Sequence, residues 1–256
     1  MSWERQIHIK SPAELEIMRE AGRINATVLA TVKELLQPGV TTADLNAAAE
    51  KVLREHGCIS PFKGYGHPPY PASITVSVNQ ELVHGVPSKK RKLKAGDIVS
   101  IDCGTMYNGF VGDSAFTAGV GEISPRAQEL LEVTEGALYA AIDKMRSGNR
   151  TGDISAAIQQ YVENRGYHVT REYTGHGVGR QMHEGPQVPN YGVAGRGMLL
   201  RPGLTIALEP MVLVGTSATR VLSDQWTVVS ADGSLTAHFE HSVAVTEGDP
   251  LILTVL

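Results

Sequence analysis

The sequence predicts an α+β protein in which helices cover one face of a curved antiparallel sheet. Two helical segments followed by short apolar segments occur twice along the 256 residues, the pattern of helices segregated to one face of a sheet. Tyr107-Asn108-Gly109, between two strand-like runs, is a hairpin turn signal. The composition, 42% hydrophobic and 20% charged, is that of an ordinary globular protein.

The helices are predicted from their start and stop signals. Ser11-Pro12-Ala13-Glu14 supplies a serine cap, a first-turn proline and a capping-box glutamate, and Pro38-Gly39 ends the first helix. Ser124-Pro125 opens the equivalent helix of the second half, and Asn149–Asp153 restarts the chain as Val40–Asp44 does in the first. The predicted helices lie at about 12–36, 42–56, 125–146 and 153–165.

The strands repeat as the helices do. Residues 93–102 and 200–209 each read as a leucine, a base, a glycine turn and an apolar run that ends in a carboxylate. The chain, residues 1–256, is therefore predicted to be a single catalytic domain of two pseudo-symmetric halves, about 11–120 and 121–250. The predicted strands lie at about 73–78, 98–106, 109–117, 167–173, 204–213, 220–229 and 235–246.

Four carboxylates beside apolar segments point to a metal site: Asp102, Asp113, Glu209 and Glu240. Burying a lone carboxylate costs several kcal/mol or forces it to keep its proton. Asp102 and Glu209 end equivalent strands of the two halves, and the next strand of each half supplies another acid, so we expect all four to meet with His176. Oxygen-rich ligation suits hard divalent cations, and four carboxylates predict two ions that share bridging ligands.

The segments that carry these residues resemble methionine aminopeptidase, type I. They are Asp102-Cys103-Gly104-Thr105, Gly112-Asp113-Ser114, Thr174-Gly175-His176-Gly177-Val178-Gly179, Leu208-Glu209-Pro210-Met211 and Phe239-Glu240-His241. The resemblance covers nearly the whole chain and implies the duplicated pita-bread fold. About 63 residues separate Asp113 from His176, which leaves out the helical insertion of type II enzymes, and the layout is that of the short bacterial form.

The resemblance implies a role for each ligand. Asp102 would chelate one metal with both oxygens, and Asp113 and Glu240 would bridge the two ions. His176 and Glu209 would complete the shell of the other ion. The implied nucleophile is a hydroxide shared by the ions, with Glu209 relaying its proton. Cobalt, manganese, iron(II) and zinc all tolerate such ligands.

Two further histidines and an apolar pocket follow from the same resemblance. His183 would stabilise the tetrahedral oxyanion, and His84 would contact or protonate the scissile nitrogen. The expected pocket residues are Tyr65, Trp226, Phe62 and Met182. Phe62 and Met182 depart from the family's pattern, in which position 62 often holds a small residue or cysteine and position 182 a phenylalanine, so the pocket's shape is expected to differ. Alternation along a strand is predicted to place His238 and His241 on the face opposite Glu240.

The implied activity is removal of the initiator methionine from nascent proteins whose second residue is small. One alternative is an X-Pro aminopeptidase or prolidase, although such enzymes usually carry an additional amino-terminal domain and the segment before Ser11 leaves no room for one. The other is a non-catalytic relative that binds peptides or RNA; such relatives typically lose metal ligands, and here every one is present.

The remaining features bear on partners and location. The basic run Ser88–Lys94 is most simply a solvated loop, and the alternative is a site that binds ribosomal RNA electrostatically. The net charge of −4 argues against wholesale nucleic-acid binding. Cys58 and Cys103 are expected to be reduced thiols. With no signal-peptide pattern and no run of about 18 apolar residues, we expect a cytoplasmic protein that binds no membrane and is a monomer.

Overall fold

The computed structural model describes residues 7–256, and all four predicted helices are confirmed within that range. They are α1 (Pro12–Glu34), α2 (Thr42–Glu55), α3 (Pro125–Ile142) and α4 (Thr151–Glu163). Helix α1 begins at its predicted capping box, because Ser11 Oγ accepts from the Glu14 amide and the Glu14 carboxylate accepts from the Ser11 amide. Helices α1 and α3 end before the predicted residues 36 and 146, and residues 1–6 of the predicted domain lie outside the described range.

Short strands make up most of the remaining regular structure. They are β1 (Thr75–Val78), β2 (Glu81–Val83), β3 (Ile98–Tyr107), β4 (Phe110–Gly119), β5 (His168–Val169), β6 (Thr174–Gly177), β7 (Glu184–Pro189), β8 (Thr205–Leu208), β9 (Met211–Leu213), β10 (Thr219–Val221), β11 (Val228–Ser230), β12 (Thr236–His238), β13 (Glu240–Ala244) and β14 (Leu251–Ile252). The hairpin predicted at Tyr107-Asn108-Gly109 is confirmed, since β3 and β4 pair up to Tyr107 opposite Phe110.

Several strand predictions were wrong in extent. Three predicted single strands, 204–213, 220–229 and 235–246, are each broken into two. The first break falls at Glu209-Pro210, where the proline has no amide to donate to a ladder. Strands β2, β6, β7 and β14 were not predicted; β6, with two glycines in four residues, has a composition that rarely indicates a strand.

The main sheet has a mirrored strand order. Its path is β1-β3-β4-β13-β8-β6-β7, with β14 added beside β13, and its neighbouring strands are antiparallel. Strands β4 and β13 meet at the centre, with β3 and β8 next to them and β1 and β6 beyond. The first-half strands are thus matched outward from the centre by second-half strands, which is the order that a duplicated sheet would have.

The helices pack against one face of this sheet in two separate cores. Side chains of α1 and α2, among them Val28 and Leu45, pack on Ile101 of β3. Side chains of α3 and α4, such as Leu138 and Ile158, form a second core with strands of the other half. The predicted fold class, α+β with helices covering a curved antiparallel sheet, is confirmed, and the helices leave the opposite face of the sheet for the acidic residues.

Two smaller expectations concern the thiols and the membrane. Cys58 and Cys103 are both buried and free, as expected for reduced thiols. Among residues 7–256, each helix is too short or too polar to cross a lipid bilayer.

Candidate metal centre

All of the predicted site residues line one cavity of about 260 Å³. They are Phe62, Tyr65, His84, Asp102, Asp113, His176, Met182, His183, Glu209, Trp226 and Glu240. The same cavity is lined by Tyr70, Thr75 and Tyr173, which the sequence did not single out. The structure therefore brings together residues from both halves of the chain, and their individual roles stay predictions.

The strand register explains why the acids meet. Asp102 of β3 and Glu240 of β13 both lie opposite Ala115 of β4, on either side of it. Asp113 precedes Ala115 by two residues, so its side chain points to the same face of the sheet. The pairing of His241 with Leu208 continues to put Glu209 next to Glu240. The carboxylates thus form a cluster that spans four adjacent strands.

Two side-chain hydroxyls join β4 to β13 and to the end of β12. Ser242 Oγ accepts from the Asp113 amide at 3.0 Å and donates to the Asp113 carbonyl at 2.9 Å. Further along β4, Thr117 Oγ1 accepts from the amide of His238, the last residue of β12, at 2.9 Å and donates to the His238 carbonyl at 2.7 Å. Each hydroxyl holds the backbone of one residue whose side chain faces the acidic cluster.

The cluster is buried and contains no lysine or arginine partner. Asp113 and Glu240 are 1% and 2% exposed, and in residues 7–256 the ion pairs to these two carboxylates and Glu209 come from histidines alone. Burial raises the pKa of the Asp102 carboxyl to about 8. Burial, followed by repulsion from neighbouring carboxylates, holds the pKa of Asp113, Glu209 and Glu240 well above the ordinary range.

His176 is oriented as a metal ligand would be. Its Nδ1 lies 2.9 Å from the Gly177 carbonyl, and because a carbonyl only accepts, Nδ1 carries the proton of the neutral ring. Burial lowers the pKa of this imidazole to about 3, which keeps the ring neutral. Its Nε2 lies 3.4 Å from Glu209 Oε1 and 3.8 Å from Asp113 Oδ2. The lone pair therefore faces the carboxylates, as in metal-binding histidines whose second nitrogen is fixed by a carbonyl.

The buried polar atoms without a hydrogen-bond partner concentrate in this cluster. Asp102 Oδ1, Asp113 Oδ1, Glu240 Oε1 and His238 Nε2 are all buried and unsatisfied, an arrangement that is costly in a folded protein. Two sets of ligand atoms lie within 4.8 Å of one another: Asp113, His176 and Glu240, and Asp102, His238 and Glu240. The residues therefore fit a divalent cation, which would satisfy the atoms that the chain leaves unpaired.

The prediction for His238 was wrong. His238 ends β12 and Glu240 begins β13, and the buried His238 ring lies with its Nε2 3.6 Å from Glu240 Oε2, so both side chains enter the acidic cluster. His241 does lie on the other face, where its Nδ1 is 2.8 Å from Thr254 Oγ1. The spacing of two between His238 and Glu240 was the signal that could have identified this residue.

The predicted catalytic histidines lie on the aromatic side of the cavity. His84 has a left-handed backbone with φ 60°. Residues other than glycine seldom adopt this conformation, and those that do are often found at functional sites. Its ring meets those of Trp226 and Tyr173 edge-on at 6.2 and 5.8 Å between centroids. His183 lies 4.3 Å from the His176 ring, and its Nδ1 is 2.8 Å from the Tyr65 hydroxyl. Burial lowers the pKa of both His84 and His183 to about 4.

The loop that carries His183 is tied to a buried ion pair that the sequence did not suggest. Lys10 Nζ lies 2.5 Å from Glu184 Oε2, and the two side chains are 3% and 1% exposed. The other oxygen of Glu184 accepts from the amides of Arg180 and Gln181. The residue next to His183 is therefore fixed to the segment that precedes α1.

The chain is similar to known metallopeptidases along most of its length. Residues 16–247 match metallopeptidase family M24. A methionine aminopeptidase from Clostridium acetobutylicum is 49% identical over 249 residues, which cover 97% of this chain and 99% of that protein. The solved structure of a methionine aminopeptidase from Thermotoga maritima has a TM-score of 0.95 at 45% identity, over 98% of this chain and 100% of that one.

A second class of solved structures shares the fold at a greater distance. The Xaa-Pro dipeptidase from Bacillus anthracis has a TM-score of 0.77 at 23% identity, and the match covers 96% of this chain but 61% of that one. At this level of identity the similarity concerns the fold alone.

Proposed function

The chain belongs to metallopeptidase family M24, and from that premise we propose that it removes the initiator methionine from nascent proteins with a small second residue. The observation that carries the proposal is the convergence of His176 and four carboxylates on one cavity, three of them buried and Glu209 14% exposed. The chain matches named methionine aminopeptidases over nearly their full length. Within residues 7–256, the ion-pair partners of Asp113, Glu209 and Glu240 are histidines and not lysine or arginine, and such an acidic cluster suits a metal-dependent hydrolase.

We propose that the cluster holds two divalent ions. Asp102, Asp113, His176, Glu209 and Glu240 would bind them, with Asp113 and Glu240 shared between the two sites. When bound, such ions supply Lewis acidity and lower the pKa of a water, so that hydroxide is available near neutral pH. Cobalt, manganese, iron(II) and zinc are the candidates, since nitrogen and oxygen ligands accept all four.

The chain's own groups would then move protons and stabilise charge. Glu209 borders the cavity beside His176 and would accept the proton of the attacking water. The Tyr65 hydroxyl would donate to Nδ1 of His183, which leaves the proton of the neutral ring on Nε2, where it can donate to the developing oxyanion. His84, held in its unusual backbone conformation, would contact the scissile nitrogen.

The aromatic side of the cavity would hold the methionine side chain. Phe62 and Tyr70 are buried, and Tyr70 is fixed by a 2.8 Å hydrogen bond to the Gly85 carbonyl and by an edge-on contact with Trp226. Met182 packs against the same group. Aromatic and thioether walls give an unbranched apolar side chain contacts on several sides.

The test is hydrolysis of short peptides after the protein is stripped of metal and reloaded with each ion. We expect Met-Ala-Ser to be cleaved after methionine, Met-Leu-Ser to be cleaved far more slowly, and Ala-Pro-Gly to be left intact. Loaded protein that leaves Met-Ala-Ser uncut would overturn the proposal. Preferential release of the residue before proline would instead favour the X-Pro alternative, whose relatives share the fold.

We also propose that a monomer of this enzyme contacts the ribosome, which requires the cytoplasmic location predicted from the sequence. The basic loop, Lys89–Lys94, exposes all five of its charged side chains while Leu93 is buried beneath it. Its backbone is anchored at the start of α2, where the Thr42 amide donates to the Arg91 carbonyl at 2.9 Å. A fixed set of like charges on an acidic protein suits an RNA backbone.

Cosedimentation with ribosomes at several salt concentrations tests this contact. Replacing Lys89, Lys90 and Lys92 by glutamine should weaken binding and reduce its salt dependence. The control replaces Lys51, Lys63 and Lys144, which are also exposed and change the net charge equally. Equal ribosome binding by the two triple variants would contradict the proposed contact. Sedimentation of the free protein as a dimer would contradict the proposed monomeric state.

A further inference from the structure

His238 occupies a place in the acidic cluster that the five proposed ligands do not account for. It is the last residue of β12 and is 2% exposed. Its backbone is held at both the amide and the carbonyl by Thr117 Oγ1, which is itself 2.8 Å from Ser100 Oγ. The backbone that carries the ring is therefore fixed to β4, and through Ser100 to β3.

The ring nitrogen of His238 points at carboxylates without bonding to them. Its Nε2 lies 3.6 Å from Glu240 Oε2 and 3.8 Å from Glu209 Oε2, distances beyond a normal hydrogen bond. The atom is buried and has no hydrogen-bond partner. Burying a polar nitrogen unpaired is costly, so this position calls for a partner that the protein chain does not supply.

The distances suit two ligands of one ion. Ligand atoms about 2.1 Å from a shared metal, at angles near tetrahedral or wider, lie about 3.4–3.8 Å apart. His176, one of the five proposed ligands, shows similar separations, 3.4 and 3.8 Å, from Glu209 and Asp113. The distance from His238 Nε2 to Glu240 is therefore in the range seen between His176 Nε2 and its neighbouring carboxylates.

Two sets of donors share Glu240, and each contains one imidazole. The first is Asp113, His176 and Glu240, and the second is Asp102, His238 and Glu240. Without His238 the second set would contain carboxylates alone. The arrangement around Asp102 is therefore the counterpart of the arrangement around His176.

We propose that His238 is a sixth protein ligand, bound to the ion that Asp102 holds, so that each of the two ions takes one imidazole. This inference rests on the proposed two-metal centre. Because imidazole suits iron, cobalt and zinc while all-oxygen sites suit magnesium and manganese, His238 shifts the preference of the second site toward the former.

X-ray absorption on the cobalt(II)-loaded protein counts imidazole rings per metal directly. With two ions bound per chain, the wild-type protein should give an average of one imidazole per cobalt, and His238→Gln should give half of that value. The matched control is His241→Gln, which changes the histidine on the other side of Glu240, bonded to Thr254 and facing away from the cluster. It should keep the wild-type count.

Equilibrium dialysis adds the affinity of each site. In His238→Gln the second cobalt should bind at least about tenfold more weakly, while the first keeps its affinity. A wild-type protein that binds two cobalt ions with half an imidazole each overturns the inference, as does one that is active with a single ion and one imidazole. Both results leave the proposed removal of methionine standing, and the second also overturns the two-ion centre. A wild-type protein that binds no cobalt overturns the metal centre as well. The number of imidazole rings per cobalt in the wild-type protein tests the inference even if His238→Gln does not fold.

Discussion

Two regions of this molecule bury charge, and they treat it differently. Around Glu184 the chain supplies every partner, with Lys10 on one carboxylate oxygen and two backbone amides on the other. In the acidic cluster the chain leaves carboxylate oxygens of Asp102, Asp113 and Glu240 unsatisfied. The first arrangement is complete as folded, and the second is complete only with a cation. The contrast separates a structural ion pair from a functional site without reference to any relative.

Asp113→Asn should give the largest effect, and in opposite directions for activity and stability. Loss of this proposed shared ligand should lower kcat/KM for Met-Ala-Ser about a thousandfold or more, because bound metals contribute several kcal/mol to stabilising the transition state. The metal-free variant should resist urea better than the metal-free parent at pH 7.5, since one buried unpaired carboxylate is gone. Asp143→Asn, in an exposed ion pair, is the control. A metal-free Asp113→Asn that is less stable than its parent contradicts the comparison.

Glu184→Gln should destabilise the protein, with or without metal. Removing one partner of a buried pair leaves the Lys10 ammonium uncompensated, which typically costs about 3–5 kcal/mol of unfolding free energy. Urea denaturation measures this change. The double variant Lys10→Met with Glu184→Gln should recover most of it, because it removes the ammonium and keeps an oxygen that accepts from the amides of Arg180 and Gln181. If Glu184→Gln unfolds at the parent's urea concentration, the pair does not stabilise this region.

The acidic cluster, unlike the Lys10–Glu184 pair, should make the stability of the metal-free protein fall as pH rises. Burial raises the pKa of Asp102 to about 8 from an ordinary 3.8, so between these values the folded metal-free protein holds a proton that the unfolded chain has lost. Stability of the metal-free protein should therefore fall as pH rises from 5 to 8, by up to about 1.4 kcal/mol per pH unit for each such carboxyl. Metal replaces these protons, so the difference in Tm between loaded and stripped protein should widen with pH. A constant difference is the contrary result.

Arg180→Gln should have the smallest effect. Arg180 pairs with Glu14 at 2.8 Å, but its side chain is 62% exposed, and exposed pairs are screened by water and salt. The unfolding free energy of Arg180→Gln should differ from the parent's far less than that of Glu184→Gln, although Arg180 lies in the loop that leads into β7 at Glu184. Urea curves at low and high salt make the comparison. A loss as large as that of Glu184→Gln would mean that burial is not what distinguishes the two pairs.

The sequence predicted most of the acidic cluster because the cluster follows strand ends. Asp102 and Glu209 close matching apolar runs, and this local pattern is visible without coordinates. His238 was recoverable too, from its spacing of two to Glu240. The Lys10–Glu184 pair was not, because its members lie 174 residues apart and nothing near either residue indicates the other. Contacts of this kind depend on how loops close over the sheet.

The break at Glu209-Pro210 shows a different limit. A continuous apolar run predicted one strand through residues 204–213, but the chain leaves one sheet after Leu208 and joins another at Met211. Periodicity identifies which residues are buried and does not say which sheet receives them.

The pairing of β4 with β13 places two different sets of residues on either side of it, so the two proposed metal positions need not be alike. In an assembly of two identical chains, symmetry would force the same residue at matched places on either side of this junction. Here one polypeptide contributes both sides, so aspartate at 102 corresponds to glutamate at 209, and aspartate at 113 corresponds to glutamate at 240. Because one chain carries both sides, each side can differ from the other, and the two proposed ions would then be held with unequal strength.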